Sequence, residues 1–162
     1  MFELIGKFFN GTTLAVLGAA LATILPGIGS ARGVNLVARA TAGLISEEPG
    51  KYGKSMLLQA LPMTQGIYGM VTSFMILVKS GIMGGTIGSL TVEQGAFFFA
   101  ASLPIAFGGL YSAIRQGEVA ASGISVLAKK PDAVGKAVIS ASFVELYAIL
   151  ALLISLLMVL AF

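Results

Sequence analysis

Residues 137–162 read AVISASFVELYAILALLISLLMVLAF and contain a single charged residue, Glu145. At about 1.5 Å per residue, a helix of this length crosses a bilayer core of about 30 Å. A carboxylate inside a membrane span is costly and is usually functional. The alternative, a tolerated charge that snorkels to the interface, suits glutamate poorly because its stem is short. We therefore expect Glu145 to carry the function of the chain.

The composition is that of an integral membrane protein. Of the 162 residues, 57% are hydrophobic and 10% are charged, whereas a soluble domain carries about 25% charged residues. The chain has no Cys and no His, which excludes disulfides, zinc sites built from these residues and imidazole catalysis. The net charge of +3 fits the asymmetry of membrane loops better than a nucleic-acid-binding surface, so no nucleic-acid partner is expected.

The hydropathy pattern predicts an all-α membrane protein with four transmembrane helices. In the first helix, Gly29 and Gly33 form a small-residue step suited to close helix packing. In the second, Pro62 is expected to distort the helix because proline lacks an amide hydrogen. The predicted spans are 12–45, 55–78, 94–128 and 137–162, joined by a polar connection at 46–54, a glycine-rich turn at 79–93 and a short connection that begins at Lys129.

The two halves of the chain repeat with an offset of 82 residues (131 − 49). The matching pairs are Ser30 with Ser112, Pro49 with Pro131, Gly53 with Gly135 and Lys54 with Lys136. We predict one membrane domain over residues 1–162, built from two tandem helical hairpins at about 12–80 and 94–162. The same offset sets Met63 opposite Glu145, so only the second hairpin has an acid at this position.

The distribution of Lys and Arg predicts the orientation in the membrane. The connections within the two hairpins carry most of the basic residues, whereas the turn between the hairpins has only Lys79 and the N-terminal segment only Lys7. Basic residues near membrane spans stay on the cytoplasmic side. We therefore predict a multi-pass cell-membrane protein with both hairpin loops cytoplasmic and both termini outside.

Polar side chains lie at matching depths in three of the predicted spans, within about one helical turn of Glu145. On the second span, Leu61, Thr64, Gln65 and Tyr68 share one helical face. We predict one oxygen-rich site that contains the carboxylate of Glu145, the amides of Gln65 and Gln116, the hydroxyl of Thr64 and the carbonyl of Leu61, with Tyr68 donating a hydrogen bond to the carboxylate.

Such a set of ligands favours a monovalent hard cation. Hard cations prefer oxygen ligands, and one carboxylate with one +1 ion leaves a neutral site that lipid tolerates. A proton would need only the carboxyl group, so the additional oxygens favour Na⁺, with H⁺ as the alternative. The structural alternative is that the two glutamines only hydrogen-bond between helices.

Four segments resemble the proteolipid, or K subunit, of bacterial V-type sodium-transporting ATPases. They are LPMTQGIYG at 61–69, ASLPIAFGGL at 101–110, VAASGISVLAKKP at 119–131 and VELYAIL at 144–150. The resemblance extends over nearly the whole chain. It implies a four-helix protomer that assembles with identical copies into a rotor ring, and it implies that Glu145 binds the ion. It also implies that Thr64, Gln65, Gln116, the Leu61 carbonyl and the Tyr68 hydroxyl complete the site.

The resemblance further implies membrane lipid and other subunits as partners: a stator membrane subunit that contributes an arginine, and the central-stalk subunits. ATP hydrolysis would occur in partner chains, and we expect this chain not to be an enzyme by itself. Gly53-Lys54-Ser55 does not complete a Walker A motif, because position 48 is Glu where that motif needs Gly. Arg115 is expected near the cytoplasmic interface, paired with Glu118.

Two other functional classes fit the residues alone. One is a stand-alone oligomeric pore or small secondary transporter, for which tandem hairpins and one acid would also serve. The other is a structural membrane scaffold in which Glu145 is dispensable. Association with soluble ATPase subunits would separate the first of these from a rotor ring.

Overall fold

The computed structural model describes residues 10–85 and 90–162, and within these ranges it contains helices and turns but no strand. Its α-helices are α1 (Gly11–Glu47), α2 (Tyr52–Ala60), α3 (Thr64–Lys79), α4 (Val92–Lys129) and α5 (Val134–Leu160), with 3₁₀ turns at Pro49–Lys51, Leu61–Met63, Ile82–Gly84 and Pro131–Ala133. Four segments are long and apolar enough to span a membrane: Gly11–Glu47, Pro49–Lys79, Val92–Lys129 and Pro131–Leu160. The predicted all-α fold with four spans is therefore confirmed.

The connections within the hairpins are shorter than predicted. The polar connection predicted at 46–54 is wrong in extent, because α1 ends at Glu47 and the next 3₁₀ turn begins at Pro49. Glu48 (φ −130°, ψ 75°) makes the turn almost alone, and its N–H caps α1 by bonding to the Leu44 carbonyl at 2.9 Å. Proline suits the first position of a helical turn because its missing N–H would have no partner there. Lys130 turns the chain in the same way before Pro131.

Helices α1 and α4 pack closely along their length. At Gly29 an added Cβ would lie 2.5 Å from the Leu110 carbonyl, and at Gly33 it would overlap the backbone of α4 at Ala113. At Gly117 an added Cβ would overlap Gly33 itself. Glycine is required at these positions because two helix backbones approach each other there, as is typical of small-residue steps in membranes.

The backbone distortion expected at Pro62 is present as the 3₁₀ turn Leu61–Met63, which separates α2 from α3. Ser30 of α1 lies beside this turn, where its hydroxyl accepts from the Gly66 N–H at 2.9 Å and lies 3.4 Å from the Met63 carbonyl. The matching Ser112 of α4 donates to the Val144 carbonyl of α5 at 2.9 Å. Each hairpin thus has a serine of its first span bonded to the backbone of its second.

Two buried apolar clusters lie at opposite ends of the bundle. The cluster near the hairpin connections contains Val37, Leu44, Leu58, Ala120, Ile124, Leu127 and Ala141. The cluster at the other end contains Ala15, Ala19, Ile76, Phe98, Ala101 and Val159. The predicted polar residues lie between the two clusters, at mid-depth in the bundle. Lys7 and part of the turn predicted at 79–93, residues 86–89, lie outside the described residues.

Candidate ion-binding site

Glu145 lies near the middle of α5, partly buried, with its carboxylate against the second and third spans. The Tyr68 hydroxyl donates to its Oε1 at 2.6 Å, and the Thr64 hydroxyl lies 2.7 Å from the same oxygen. The Gln116 side chain approaches the other oxygen, with Nε2 3.3 Å from Oε2. Polar groups of the second and third spans therefore meet at the carboxylate of the fourth.

A second layer of hydrogen bonds positions these groups. The two glutamines are fully buried, and Gln65 Nε2 donates to Gln116 Oε1 at 2.6 Å. The same nitrogen lies 3.4 Å from the Ser112 hydroxyl, which is tied to the Val144 carbonyl. The sequence reasoning missed Ser112 as a member of this network. The signal that could have found it is its match with Ser30 across the repeat.

The Thr64 hydroxyl lies against more oxygen atoms than it has protons to donate. Besides Glu145 Oε1, its Oγ1 lies 3.1 Å from the Leu61 carbonyl and 3.4 Å from Gln65 Oε1. A hydroxyl has one proton, so it can donate to only one of these three oxygens. The carbonyl of Leu61 also accepts from the Thr64 backbone N–H. Oxygen atoms crowded in this way are the surroundings that a hard cation prefers.

The nitrogen of the Gln116 amide faces the Glu145 carboxylate, whereas the sequence predicts the oxygen of this amide as the ligand. The oxygen instead accepts from Gln65. A half-turn about the last side-chain bond exchanges the two atoms, since amide oxygen and nitrogen occupy nearly equivalent positions. The six residues named from the sequence therefore lie together in one hydrogen-bonded network, and the orientation of this amide differs from the predicted one.

Among the residues that the structure describes, Glu145 has no cationic side chain as partner. In the part of the chain that the structure describes, the ion pairs join Lys51 to Glu48 and Arg115 to Glu118. The second pair confirms the expected partner of Arg115, whose side chain is 69% exposed and lies 2.9 Å from Glu118. A carboxylate at membrane depth that is faced only by neutral polar groups needs a monovalent cation or a proton to neutralise it.

The sequence profile of the ATP synthase C-subunit family matches residues 17–76 and again 99–158. The chain belongs to this family. The two matched segments begin 82 residues apart (99 − 17), which is the spacing of the repeat found in the sequence. Members of the family form rings in rotary ATPases, so this chain is a membrane rotor-ring subunit.

Two curated relatives show which branch of the family the chain resembles. It is 50% identical over 151 residues to the V-type sodium ATPase subunit K of Enterococcus hirae, which covers 93% of both chains. It is 37% identical over 145 residues to the A-type ATP synthase subunit K of Methanocaldococcus jannaschii, covering 90% of this chain and 61% of that relative.

Proposed function

We propose that this protein binds one Na⁺ at Glu145 and carries it across the membrane as a rotor ring turns. The observation that carries the proposal is a mid-depth carboxylate that contacts neutral polar groups of the second and third spans and has no cationic side chain as partner among the described residues. One Na⁺ neutralises one carboxylate, and the neutral site can then face lipid during rotation. The name of the Enterococcus hirae relative, a sodium ATPase subunit, supports the same ion.

The proposed ligands are Glu145, Gln65, Gln116, Thr64 and the carbonyl of Leu61, with Tyr68 holding the carboxylate in place. The oxygens around Thr64 Oγ1 favour Na⁺, because a proton on the carboxyl group would use none of them. The alternative is H⁺ carried by the same ring. The hydrogen bond between the Gln65 and Gln116 amides at 2.6 Å favours this alternative, because the Gln116 oxygen already has a hydrogen-bond donor and needs no metal ion as partner.

The protein is proposed to work with partners that perform the remaining steps. Identical copies form the ring, and a stator membrane subunit supplies an arginine that meets Glu145 when the ion has left. Proteins of the central stalk connect the ring to the subunits that hydrolyse ATP, so this chain is non-catalytic by itself. A stand-alone oligomeric pore would show the same carboxylate but would not associate with these subunits.

The proposed orientation sets both hairpin connections in the cytoplasm and both termini outside. Most of the basic residues lie at the end of the bundle where the hairpins turn, including Lys51, Lys54, Lys129, Lys130 and Lys136. Lys79 lies at the end of α3, on the opposite side. The positive-inside rule assigns the Lys-rich end to the cytoplasm.

The reagent dicyclohexylcarbodiimide should label Glu145, and Na⁺ should slow the labelling. The reagent partitions into lipid and reacts with the protonated carboxyl group, whereas Na⁺ occupies the deprotonated form. Because H⁺ and Na⁺ compete for one carboxylate, protection by Na⁺ should strengthen as pH rises. Mass spectrometry of the purified ring over a pH series measures the labelled fraction. Equal labelling rates with and without saturating Na⁺ would favour the proton-carrying alternative.

Replacing Tyr68 with Phe should weaken Na⁺ binding moderately. The change removes one donor to the carboxylate and leaves every proposed ligand in place. A hydrogen bond to a charged group contributes about 1.5–3 kcal/mol, but this one orients the carboxylate and does not contact the ion, so we expect a loss at the lower end, about 10-fold in affinity. ²²Na⁺ binding to the purified ring measures this loss of affinity. The control is Tyr52→Phe, the same change at an exposed tyrosine. A loss of more than 100-fold would mean that the Tyr68 hydroxyl is itself an essential ligand.

A further inference from the structure

A serine of the first span lies against the backbone of the second span at the depth of the candidate site. Ser30 belongs to α1 and is 8% exposed. Its hydroxyl accepts from the Gly66 N–H at 2.9 Å and lies 3.4 Å from the Met63 carbonyl. In the part of the chain that the structure describes, this hydroxyl bonds to backbone groups and to no side chain of the candidate site. Ser30 can therefore influence a bound ion only through the backbone that it holds.

The two backbone groups in contact with this hydroxyl enclose two candidate ligands. Thr64 and Gln65 are the residues between Met63 and Gly66. Leu61, whose carbonyl is the third candidate ligand of this span, begins the 3₁₀ turn that ends at Met63. All the candidate ligands of the second span therefore belong to the short segment that the hydroxyl holds.

Helix α3 begins at this segment without a capping side chain of its own. Met63 occupies the N-cap position and makes no side-chain capping bond. The first N–H groups of a helix have no partner within it, and a side-chain oxygen commonly accepts from the second or third of them. Gly66 is the third residue of α3. Ser30 thus supplies, from the neighbouring span, the capping bond that a methionine cannot make.

Glycine at position 66 permits this contact. An added Cβ at Gly66 would lie 3.3 Å from the Ser30 Oγ and 3.5 Å from the Ser30 Cβ, and the next nearest atom would be the Gly27 Cα at 3.7 Å. A methyl group here would therefore press first on the serine hydroxyl and displace it from the backbone N–H.

The second hairpin has the matching serine but not the same contact. Ser112 corresponds to Ser30 across the repeat, and its hydroxyl donates to the Val144 carbonyl at 2.9 Å. Helix α5 runs without interruption past this point, and Val144 and Ala148 stand where the first hairpin has proline and glycine. The serine that caps a helix therefore occurs in the hairpin whose second span is interrupted, next to the candidate ligands of that span.

We propose that Ser30 is a positioning residue for the ion, because its cap on α3 holds the candidate ligands of the second span in the arrangement that binds Na⁺. The inference rests on the proposed Na⁺ site and adds a residue that acts on this site from the first span. A hard cation needs several oxygens at fixed positions, whereas a proton needs only the carboxyl group of Glu145. Loss of the cap should therefore weaken Na⁺ binding and leave the protonation of Glu145 almost unchanged.

The test is Ser30→Ala in the purified ring, with carbodiimide labelling of Glu145 followed by mass spectrometry. Two quantities are measured over a pH series: the labelling rate without Na⁺, and the Na⁺ concentration that halves this rate. We expect the half-protecting Na⁺ concentration to rise about 3- to 10-fold, as for the loss of one neutral hydrogen bond. The labelling rate without Na⁺ should keep its wild-type pH profile. A general loosening of the bundle would change both quantities.

Gly66→Ala disturbs the same contact from the other side, and it is the second variant in case Ser30→Ala does not assemble. It should also raise the half-protecting Na⁺ concentration. Changes that act through one contact are not additive. In the Ser30→Ala background, Gly66→Ala should therefore change the half-protecting concentration by less than about 2-fold, since the hydroxyl that its methyl would displace is already gone.

The matched control is Ser55→Ala, which removes a fully buried serine hydroxyl from the same span that contains the three candidate ligands. The Ser55 hydroxyl bonds to the Lys51 carbonyl of its own turn at 3.0 Å. Because this bond lies outside the segment that Ser30 holds, the half-protecting Na⁺ concentration should stay at the wild-type value. Native mass spectrometry checks that every variant assembles.

Three results would count against the inference, and they are distinguishable. Wild-type protection by Na⁺ that is unchanged in assembled Ser30→Ala and Gly66→Ala rings would overturn the inference and leave the proposed Na⁺ site standing. An altered pH profile of labelling without Na⁺ in Ser30→Ala would mean that Ser30 supports packing in general. Absence of Na⁺ protection in the wild-type ring would overturn the proposed Na⁺ site and the inference with it.

Discussion

Replacing Glu145 with Gln should abolish Na⁺ binding and ion transport while the ring still assembles. Gln keeps the volume and polarity of the side chain, and it can still bond to Tyr68 and Thr64. It removes the one negative charge that balances the cation, and an unbalanced charge at mid-membrane costs about 2.5–3.5 kcal/mol or more. We therefore expect the affinity to fall on the order of 100-fold or more. ²²Na⁺ binding to purified rings and Na⁺ uptake by vesicles that contain the complete ATPase measure the two losses.

The matched control is Glu118→Gln, the same change at an exposed acid on α4 that pairs with Arg115. Its Na⁺ affinity should stay at the wild-type level, because an exposed ion pair contributes little and lies outside the site. Ring assembly of both variants is checked by native mass spectrometry. Transport retained by an assembled Glu145→Gln ring would exclude Glu145 as the ion carrier. It would favour the alternative in which Glu145 is dispensable.

The four spans were predictable because lipid restricts the secondary structure that a spanning segment can form. A segment that crosses a membrane must satisfy its backbone internally, so an apolar run of sufficient length becomes a helix. The ends of the helices were less predictable. Hydropathy marks the part of a helix that lies in lipid, whereas α1 continues through polar residues as far as Glu47 and the next turn begins at Pro49. Charged residues do not end a helix, and here the turn is set by the proline that follows Glu48.

The membership of the candidate site was predictable from depth and helical spacing. Thr64 and Tyr68 are one turn apart on one face, and the structure brings both to the same oxygen of Glu145. The second layer was harder to predict, because Ser112 takes part through a contact with the Val144 backbone, and in the sequence only its match with Ser30 across the repeat points to it. The orientation of the Gln116 amide was likewise open, since it depends on which neighbour accepts its hydrogens.

Replacing either Gln65 or Gln116 with Ala should weaken Na⁺ binding strongly without unfolding the protein. Each change removes one neutral amide from the surroundings of an ion that has lost its water shell. An interaction with a charge contributes about 1.5–3 kcal/mol, so the affinity should fall about 10- to 150-fold. Gln65→Ala also leaves Gln116 Oε1 without its donor. The measurement is Na⁺ affinity of purified rings over a pH series.

The control is Gln94→Ala, which makes the same chemical change near the start of α4, the helix that also contains Gln116. Gln94 belongs to the capping box of that helix with Thr91 and lies far from the site. Proton binding should change less than Na⁺ binding in the two site variants, because Glu145 can be neutralised by a proton without amide ligands. Competition should therefore shift toward H⁺, and Na⁺ protection against carbodiimide should require higher pH. Wild-type Na⁺ affinity in both variants would mean that the glutamines only hold the helices together, and the ion would then be bound by Glu145, Thr64 and the Leu61 carbonyl alone.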